Sequence, residues 1–357
     1  MHVVAQVRHH EADRGQAGGV GREAGAGATT YTYDGAGRLA TAYLPGASAT
    51  YGYANNPAGD NCASPGEGAN TNRTKVIITP TGGSANSTDY CYNSADQIVS
   101  SITSAGTNSQ YGYDEHGNQT NDHGTTLTWD GADRLTSATP SGGGTTNYSY
   151  DALDRVVSHT AGGSTVRYAY AGYADTPVAT LDSSNNIMQR LVSLPGGVLA
   201  TIQISGNVWS YPDLHGNMTV TMNNTGNRLN GPVTYDPWGQ PTAGSQTLNN
   251  AAGGNTLGAF GANSKLTDTA AAITILGARA YQASEARFLS VDPLEGGCAN
   301  NYVYVFGDPL NKNDLTGRIS CTVTVNKEPS HNRYVGSSKL AGVEVAAGFA
   351  GGRGSGS

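Results

Sequence analysis

The sequence predicts an all-β fold: repeated antiparallel β-hairpins pairing into a sheet ribbon, with little helix. Two features of composition and one returning motif carry that reading. Of 357 residues 50 are Gly and 20 are Tyr, against only 4 Phe, and 13% are charged. The glycine share is about twice the ordinary usage of roughly 7%. No Gly-X-Y triplet period accompanies it, which excludes collagen. Each helix-interior Gly costs about 1 kcal/mol against Ala, so long helices are disfavoured. Low charge with abundant Tyr, Thr and turn residues suits short strands joined by tight turns. A net charge of −7 argues against nucleic-acid binding, which needs a basic patch. No apolar run approaches the roughly 18 residues of a membrane span.

The motif begins at Tyr31-Thr-Tyr33-Asp34-Gly-Ala-Gly37-Arg38-Leu39 and returns as Tyr111-Gly-Tyr113-Asp114-Glu-His-Gly117-Asn118. It continues as Leu127-Thr-Trp129-Asp130-Gly-Ala-Asp133-Arg134 and Tyr148-Ser-Tyr150-Asp151-Ala-Leu-Asp154-Arg155. Weaker copies start at Tyr51, Tyr90 and Tyr168, with Ala54, Asn93 and Ala171 in the Asp position. Trp209-Ser-Tyr211 leads into Asp213, and Tyr235-Asp236-Pro-Trp-Gly239 closes the series. Residues two apart share a strand face, so Tyr-x-Tyr presents two rings together. The Asp then bonds its own backbone two residues on, and the Gly accepts positive φ, making a turn. Arg-Leu opens the returning strand. A lone hairpin is marginal in water, so neighbours are expected to pair into one continuous sheet laced by aromatic ladders. The Asp and Arg residues are read as turn caps and salt links.

This motif resembles the YD repeat of the RHS and teneurin families over roughly residues 29–318. The resemblance implies a β-ribbon spiralling into a hollow shell. Further on stand Gly277-Ala-Arg279-Ala-Tyr281-Gln282-Ala283 and Arg287-Phe288-Leu289-Ser-Val-Asp292-Pro293. Asn301-Tyr302-Val-Tyr304-Val-Phe-Gly-Asp308-Pro309 and Asp314-Leu-Thr-Gly317 follow. These resemble the RHS repeat-associated core domain, which runs G-x-R-Y-Y-D-P-x-x-G-R-F-x-x-x-D-P, then N-x-Y-x-Y and D-P-x-G. In that family an Arg and two Asp form an intramolecular aspartyl protease, and matching motif to motif gives Arg279, Asp292 and Asp314. The scissile bond would lie near Gly317, Arg318 and Ile319. Two carboxylates sharing one proton can supply a base and an acid, while a neighbouring Arg holds charge and geometry. Three departures stand out: Ala280-Tyr281-Gln282-Ala283 replaces Y-Y-D-P, Asp314-Leu315 lacks the Pro, and Arg318 replaces the usual Leu after the Gly. They favour Asp292-Pro293 and Asp314 as turn residues closing the shell, with single-turnover self-cleavage the sharper alternative.

The expected organisation is a disordered or non-native extension over 1–28, a repeat ribbon over 29–256, the core block over 257–318 and a flexible tail over 319–357. Within that tail Cys321–Val325 alternates like one strand. Cys62, Cys91, Cys298 and Cys321 lack zinc spacing, and separate thiols are favoured over a disulfide. No metal or cofactor is expected: no oxygen-ligand run fits a calcium loop, and His116, His123, His159 and His215 fall at or near turns. The resemblance implies a structural shell of a secreted or cell-surface toxin-type protein, whose partners would be its own C-terminal segment or an effector cargo, and secretion-system or surface components. The alternatives are a glycan-binding adhesion module using Tyr-rich faces, or an inactive truncated remnant.

Overall fold

The computed structural model describes residues 29–54, 62, 68–242, 265–294 and 299–318, and the backbone alone of short strands at 19–21, 259–260, 326–327 and 334–335. The ribbon starts with β1 (Gly19–Gly21), β2 (Thr29–Tyr33), β3 (Leu39–Leu44), β4 (Ala47–Gly52), β5 (Lys75–Pro80), β6 (Asn86–Tyr92) and β7 (Ile98–Thr103). Its middle comprises β8 (Asn108–Tyr113), β9 (Gln119–Asp122), β10 (Thr125–Trp129), β11 (Leu135–Thr139), β12 (Thr146–Tyr150), β13 (Val156–Ala161) and β14 (Ser164–Tyr170). It ends with β15 (Pro177–Leu181), β16 (Ile187–Ser193), β17 (Leu199–Ile202), β18 (Val208–Pro212), β19 (Met218–Asn223) and β20 (Arg228–Asn230). These twenty strands form one sheet. Each pairs antiparallel with the next in sequence, so the sheet is a continuous meander. Within the 1–28 extension, Gly19–Gly21 pairs with β2. Among the described residues, helix is limited to short 3₁₀ turns.

One turn geometry recurs nine times among the described residues, opening at Asp34, Asn93, Asp114, Asp130, Asp151, Asp182, Asp213, Asn223 and Asp236. In each, the first residue's N–H donates to the carbonyl four residues on, and the fourth residue's N–H donates back to the first carbonyl. The first residue's Oδ1 accepts the N–H groups at the third and fifth positions, as Asp151 does from Leu153 at 2.9 Å and Arg155 at 3.0 Å. Its Oδ2 then holds the fifth side chain: Arg155 Nε donates at 2.8 Å, and Arg38 and Arg134 act alike on Asp34 and Asp130. Elsewhere Asn118, Asn186 and Asn217 donate from Nδ2 instead.

The fourth position always has φ between 59° and 87°. Glycine fills it at Gly37, Gly117, Gly216, Gly226 and Gly239, because a Cβ is penalised in that conformation. Asp133 and Asp154 tolerate the conformation and put their carboxylates to use: Asn118 Nδ2 donates to Asp133 at 2.8 Å, and Arg134 stands 3.4 Å from Asp154. Adjacent turns are thus tied along one edge of the ribbon.

The second aromatic of a unit reaches back into the preceding one. Tyr53, Tyr150, Tyr170 and Tyr235 donate their hydroxyls to the carbonyls of Leu39, Leu135, Val156 and Met218 at 2.7–3.0 Å. Trp129 Nε1 does the same to Gln119. Every acceptor lies five residues after the capping residue of the turn before it. These acceptor residues are buried. The preceding turn's Arg also covers the ring: Arg38 lies 4.4 Å from the Tyr53 centroid and Arg155 4.3 Å from Tyr170, each contact worth about 0.5–2 kcal/mol.

A second, five-stranded sheet holds β21 (Ala259–Phe260), β22 (Leu266–Asp268), β23 (Ile273–Leu276), β24 (Arg279–Gln282) and β25 (Arg287–Phe288). It packs against the ribbon at separated places. Leu276, Tyr281, Phe288 and Tyr304 join a core with Leu39, Tyr51, Tyr53 and Trp238, while Ile273, Ile275 and Leu289 join Leu127, Leu135, Tyr148 and Tyr168. Touching both the early and the middle strands, the block lies where the ribbon curls round it. Tyr302 donates to the Gly117 carbonyl at 2.7 Å, and a Cβ on Gly117 would meet that hydroxyl at 2.6 Å. The remaining short strands, β26 (Asn326–Lys327) and β27 (Tyr334–Val335), pair with each other. Cys321–Val325, like most of 1–28 and 319–357, falls outside the described residues.

Cys62 and Cys91 form a disulfide with Cα atoms 5.3 Å apart, which corrects the reading of these two as separate thiols. The spacing alone could not reveal the pair, because β4, β5 and β6 bring the two positions together across the sheet. Cys298 and Cys321 fall outside the described residues.

The capped turns carry a pH signature. Burial raises the Asp34, Asp130 and Asp151 carboxyls, but their Arg and backbone donors outweigh it and leave each below its ordinary value. A lowered folded pKa contributes stability that is full above the unfolded value near 3.8 and lost as pH falls through the folded one. Asp151→Ala is expected to cost about 2 kcal/mol at neutral pH, by removing charge-assisted bonds. Denaturant titrations should show that difference shrinking below about pH 4.

Candidate functional site

Arg279 opens β24, Asp292 follows β25, and Asp314 begins the last described turn. The fold brings all three together. A single guanidinium nitrogen of Arg279, one of its Nη atoms, lies 2.8 Å from Asp292 Oδ2 and 3.1 Å from Asp314 Oδ2, with every side chain 2–3% exposed. The rest of the guanidinium is also engaged: Nε donates to the Gly317 carbonyl at 2.6 Å, and the other Nη to the Asn301 carbonyl at 3.1 Å. Beneath it, the Phe288 ring centroid lies 3.5 Å from the guanidinium carbon. Burial pulls Arg279 below its ordinary pKa, and the two carboxylates oppose that pull.

The segment Asp314-Leu315-Thr316-Gly317-Arg318 has the sequence form of the repeat turn, Asp-x-x-Gly-Arg. Asp314 Oδ1 accepts the Arg318 N–H at 3.1 Å and the Thr316 hydroxyl at 3.2 Å, and Gly317 has φ 63°. One substitution of partners sets it apart. In the turns that carry an Arg at the fifth position, that Arg holds Oδ2; here Arg279 from another strand takes that oxygen, and Arg318 turns away to pair with Asp154. Ala278 N–H donates to the Thr316 carbonyl at 2.9 Å. A Cβ on Gly277 would meet that oxygen at 2.2 Å, and one on Gly317 would meet the Leu276 carbonyl at 2.2 Å. Both glycines are required by this backbone crossing. Ile319 lies outside the described residues.

The other residues singled out in the block are mostly buried. Arg287 is buried, 5.1 Å from the Tyr92 centroid and 4.8 Å from Tyr302, and donates to the Asp96 carbonyl. Tyr304 packs on Tyr281 with centroids 4.7 Å apart. Pro293 lies exposed after Asp292, while Pro309 is buried. In the ribbon, Tyr31, Tyr33, Tyr111 and Tyr113 are partly buried, and Tyr148 bonds Asp268 Oδ2 at 2.5 Å. The rings stand mostly against the core, leaving Tyr43, Tyr173 and Tyr211 as the exposed tyrosines among the described residues.

Sequence reasoning passed over two capped turns, at Asp182 and Asn223, which lack the Tyr-x-Tyr lead-in. The signal was present: Asp or Asn, then Asn or Gly three residues on, then Asn.

A family model described as RHS Repeat matches residues 129–166, the segment holding two capped turns with their reaching aromatics. That segment matches the RHS repeat. No curated protein matches the sequence. Among solved structures, RHS-type architecture of this kind is found in the crystal structure of TcdB2-TccC3-Cdc42, with TM-score 0.58 and 18% identity over 82% of this chain and 16% of that one. The crystal structure of TcdB2-TccC3 gives 0.56 and 19% over the same shares. A Tc holotoxin pore from Photorhabdus luminescens with a TccC3 mutation gives 0.52 and 16%, covering 87% of this chain and 16% of that one. These likenesses show the fold of the RHS ribbon. The chain spans about a sixth of the length of those chains.

The buried charges make Arg279 the sensitive member of the site. Arg279→Met leaves two buried carboxylates without a counter-charge and is expected to cost about 3–5 kcal/mol. Urea denaturation should show a loss well beyond that of Arg38→Met, which uncovers only a half-exposed carboxylate.

Proposed function

We propose that this chain is part of an RHS shell of a secreted or cell-surface toxin-type protein, and that it cuts its own backbone between Gly317 and Arg318. The ribbon and core block would enclose and present the segment that follows. Arg279 carries the reading: one guanidinium touches both acidic residues and the carbonyl of the bond to be cut. In the proposed step, Asp292 takes a proton from a water molecule whose oxygen attacks the Gly317 carbonyl carbon. Charge developing on the carbonyl oxygen is met by the Arg279 Nε–H, already 2.6 Å away, as in oxyanion stabilisation. As the C–N bond breaks, the proton that Asp292 took from the water passes to the Arg318 nitrogen, whose N–H is held by Asp314 Oδ1 at 3.1 Å. The products are a Gly317 carboxyl and an Arg318 amine, and the pair of carboxyls ends with the same proton count.

The disulfide between Cys62 and Cys91 supports export, since such bonds persist in oxidising compartments. Among the described residues no helix is long and apolar enough to cross a membrane. The inward packing of the repeat tyrosines supports the shell reading over a glycan-binding face, because their rings are already covered.

Purified chain should run as two fragments, with intact masses placing the cut after Gly317. Asp292→Asn and Asp314→Asn should each stay full length while keeping the wild-type circular dichroism spectrum. A wild-type chain that stays whole, or variants cut to the same extent, would refute self-cleavage.

A further inference from the structure

Where the ribbon meets the core block, away from Arg279, two buried carboxylates and an imidazole converge. Asp122 ends β9, His123 is the next residue in the hairpin turn, and Glu285 lies between β24 and β25. One nitrogen or oxygen ligand atom from each lies within 4.8 Å of those of the other two. His123 Nε2 is 3.5 Å from Asp122 Oδ1. Asp122 is fully buried and Glu285 only 3% exposed, whereas the His123 side chain is 45% exposed. The site therefore has a sealed floor and one open side.

A second observation concerns what these groups lack. Oδ1 of Asp122 and both carboxylate oxygens of Glu285 are buried and make no hydrogen bond of ordinary geometry among the described residues, with the Asp122 carboxyl and the Tyr111 hydroxyl the polar groups that face Glu285. The other Asp122 oxygen is fixed by the Gln282 amide, which donates at 2.7 Å, and the His123 ring is held edge-on to Tyr111 at 6.1 Å. Arg287 is the nearby cation that favours the charged form of Glu285, but burial and the Asp122 carboxylate push that carboxyl well above its usual range. Buried carboxylate oxygens this close need either a proton or a cation between them.

We propose that Asp122, His123 and Glu285 bind a divalent transition-metal ion of the zinc class, clipping the ribbon to the core block. One imidazole and two carboxylates suit that class, with water at the open fourth position. A tetrahedral zinc site with bonds of about 2.0–2.1 Å has ligand edges near 3.4 Å, and the His123–Asp122 separation already matches. Rotation of the Glu285 side chain closes the rest. The donors come from two distant parts of the chain, so no spacing pattern in the sequence announces them.

The test uses the full chain, stripped with chelator, then titrated with Co²⁺ for visible absorption and with Zn²⁺ by calorimetry. One ion per chain and a four-coordinate Co²⁺ spectrum are expected, together with a thermal midpoint several degrees higher. His123→Asn, at an exposed turn position, should retain the fold and weaken binding at least about tenfold; Glu285→Gln should do the same. A chain that takes up no ion would leave a proton-bridged carboxyl pair and overturn the proposal. Binding unchanged by His123→Asn would assign the ion elsewhere, for example to the exposed His116 and Asp133, and would overturn it equally.

Discussion

The structure depends on a carboxylate, or an Asn amide oxygen, that accepts two backbone N–H groups of its own turn. That bond fixes the fourth residue in a left-handed conformation and sets the register of the returning strand. Once the register is set, the aromatic that leads into the next turn lands five residues past the previous cap. There it finds a buried carbonyl. Regular spacing of rings, arginines and carbonyls follows from one side-chain acceptor repeated along the chain. The energy of any single turn is modest. The repetition matters because a twenty-stranded meander has nineteen chances to slip, and a one-residue slip would turn every buried ring outward.

The candidate cleavage turn reuses this device with one partner exchanged. In the ribbon, an Arg at the fifth position neutralises its own cap, and the arrangement is closed. At Asp314 an arginine from a different strand takes over, bringing a second carboxylate and contacting the turn's Gly carbonyl. A stable capping motif thereby becomes a buried charged cluster around a peptide bond. The two glycines at the backbone crossing, Gly277 and Gly317, have no alternative residue, since Cβ atoms there would lie 2.2 Å from carbonyl oxygens.

Much of this was legible in the sequence. The Tyr-x-Tyr-Asp-x-x-Gly pattern yields hairpins because alternation and turn chemistry are local. Arg279, Asp292 and Asp314 could be matched by motif, and the structure brings them into contact. Features that depend on distant pairing were not legible. The Cys62–Cys91 bond needs three strands in register before the sulfurs meet. Strand pairing at Gly19–Gly21 rests on backbone hydrogen bonds, which leave no side-chain pattern to read. The reach of Tyr150 to Leu135, or of Trp129 to Gln119, combines strand twist with a bulge just before the second aromatic, and neither is written in residue type. Asp182 and Asn223 were hidden for the opposite reason: their turns are complete, but the aromatic lead-in that drew attention to the others is missing.

The backward reach of the aromatics also gives the ribbon a direction in time. Tyr53, Trp129, Tyr150, Tyr170 and Tyr235 each donate to a carbonyl that precedes them in the chain. A unit emerging from the ribosome therefore finds its acceptor already synthesised, and never waits for one still to come. Such a wall can be laid course by course during translation, each row keyed into the row beneath, with the core block arriving last to meet a surface already built.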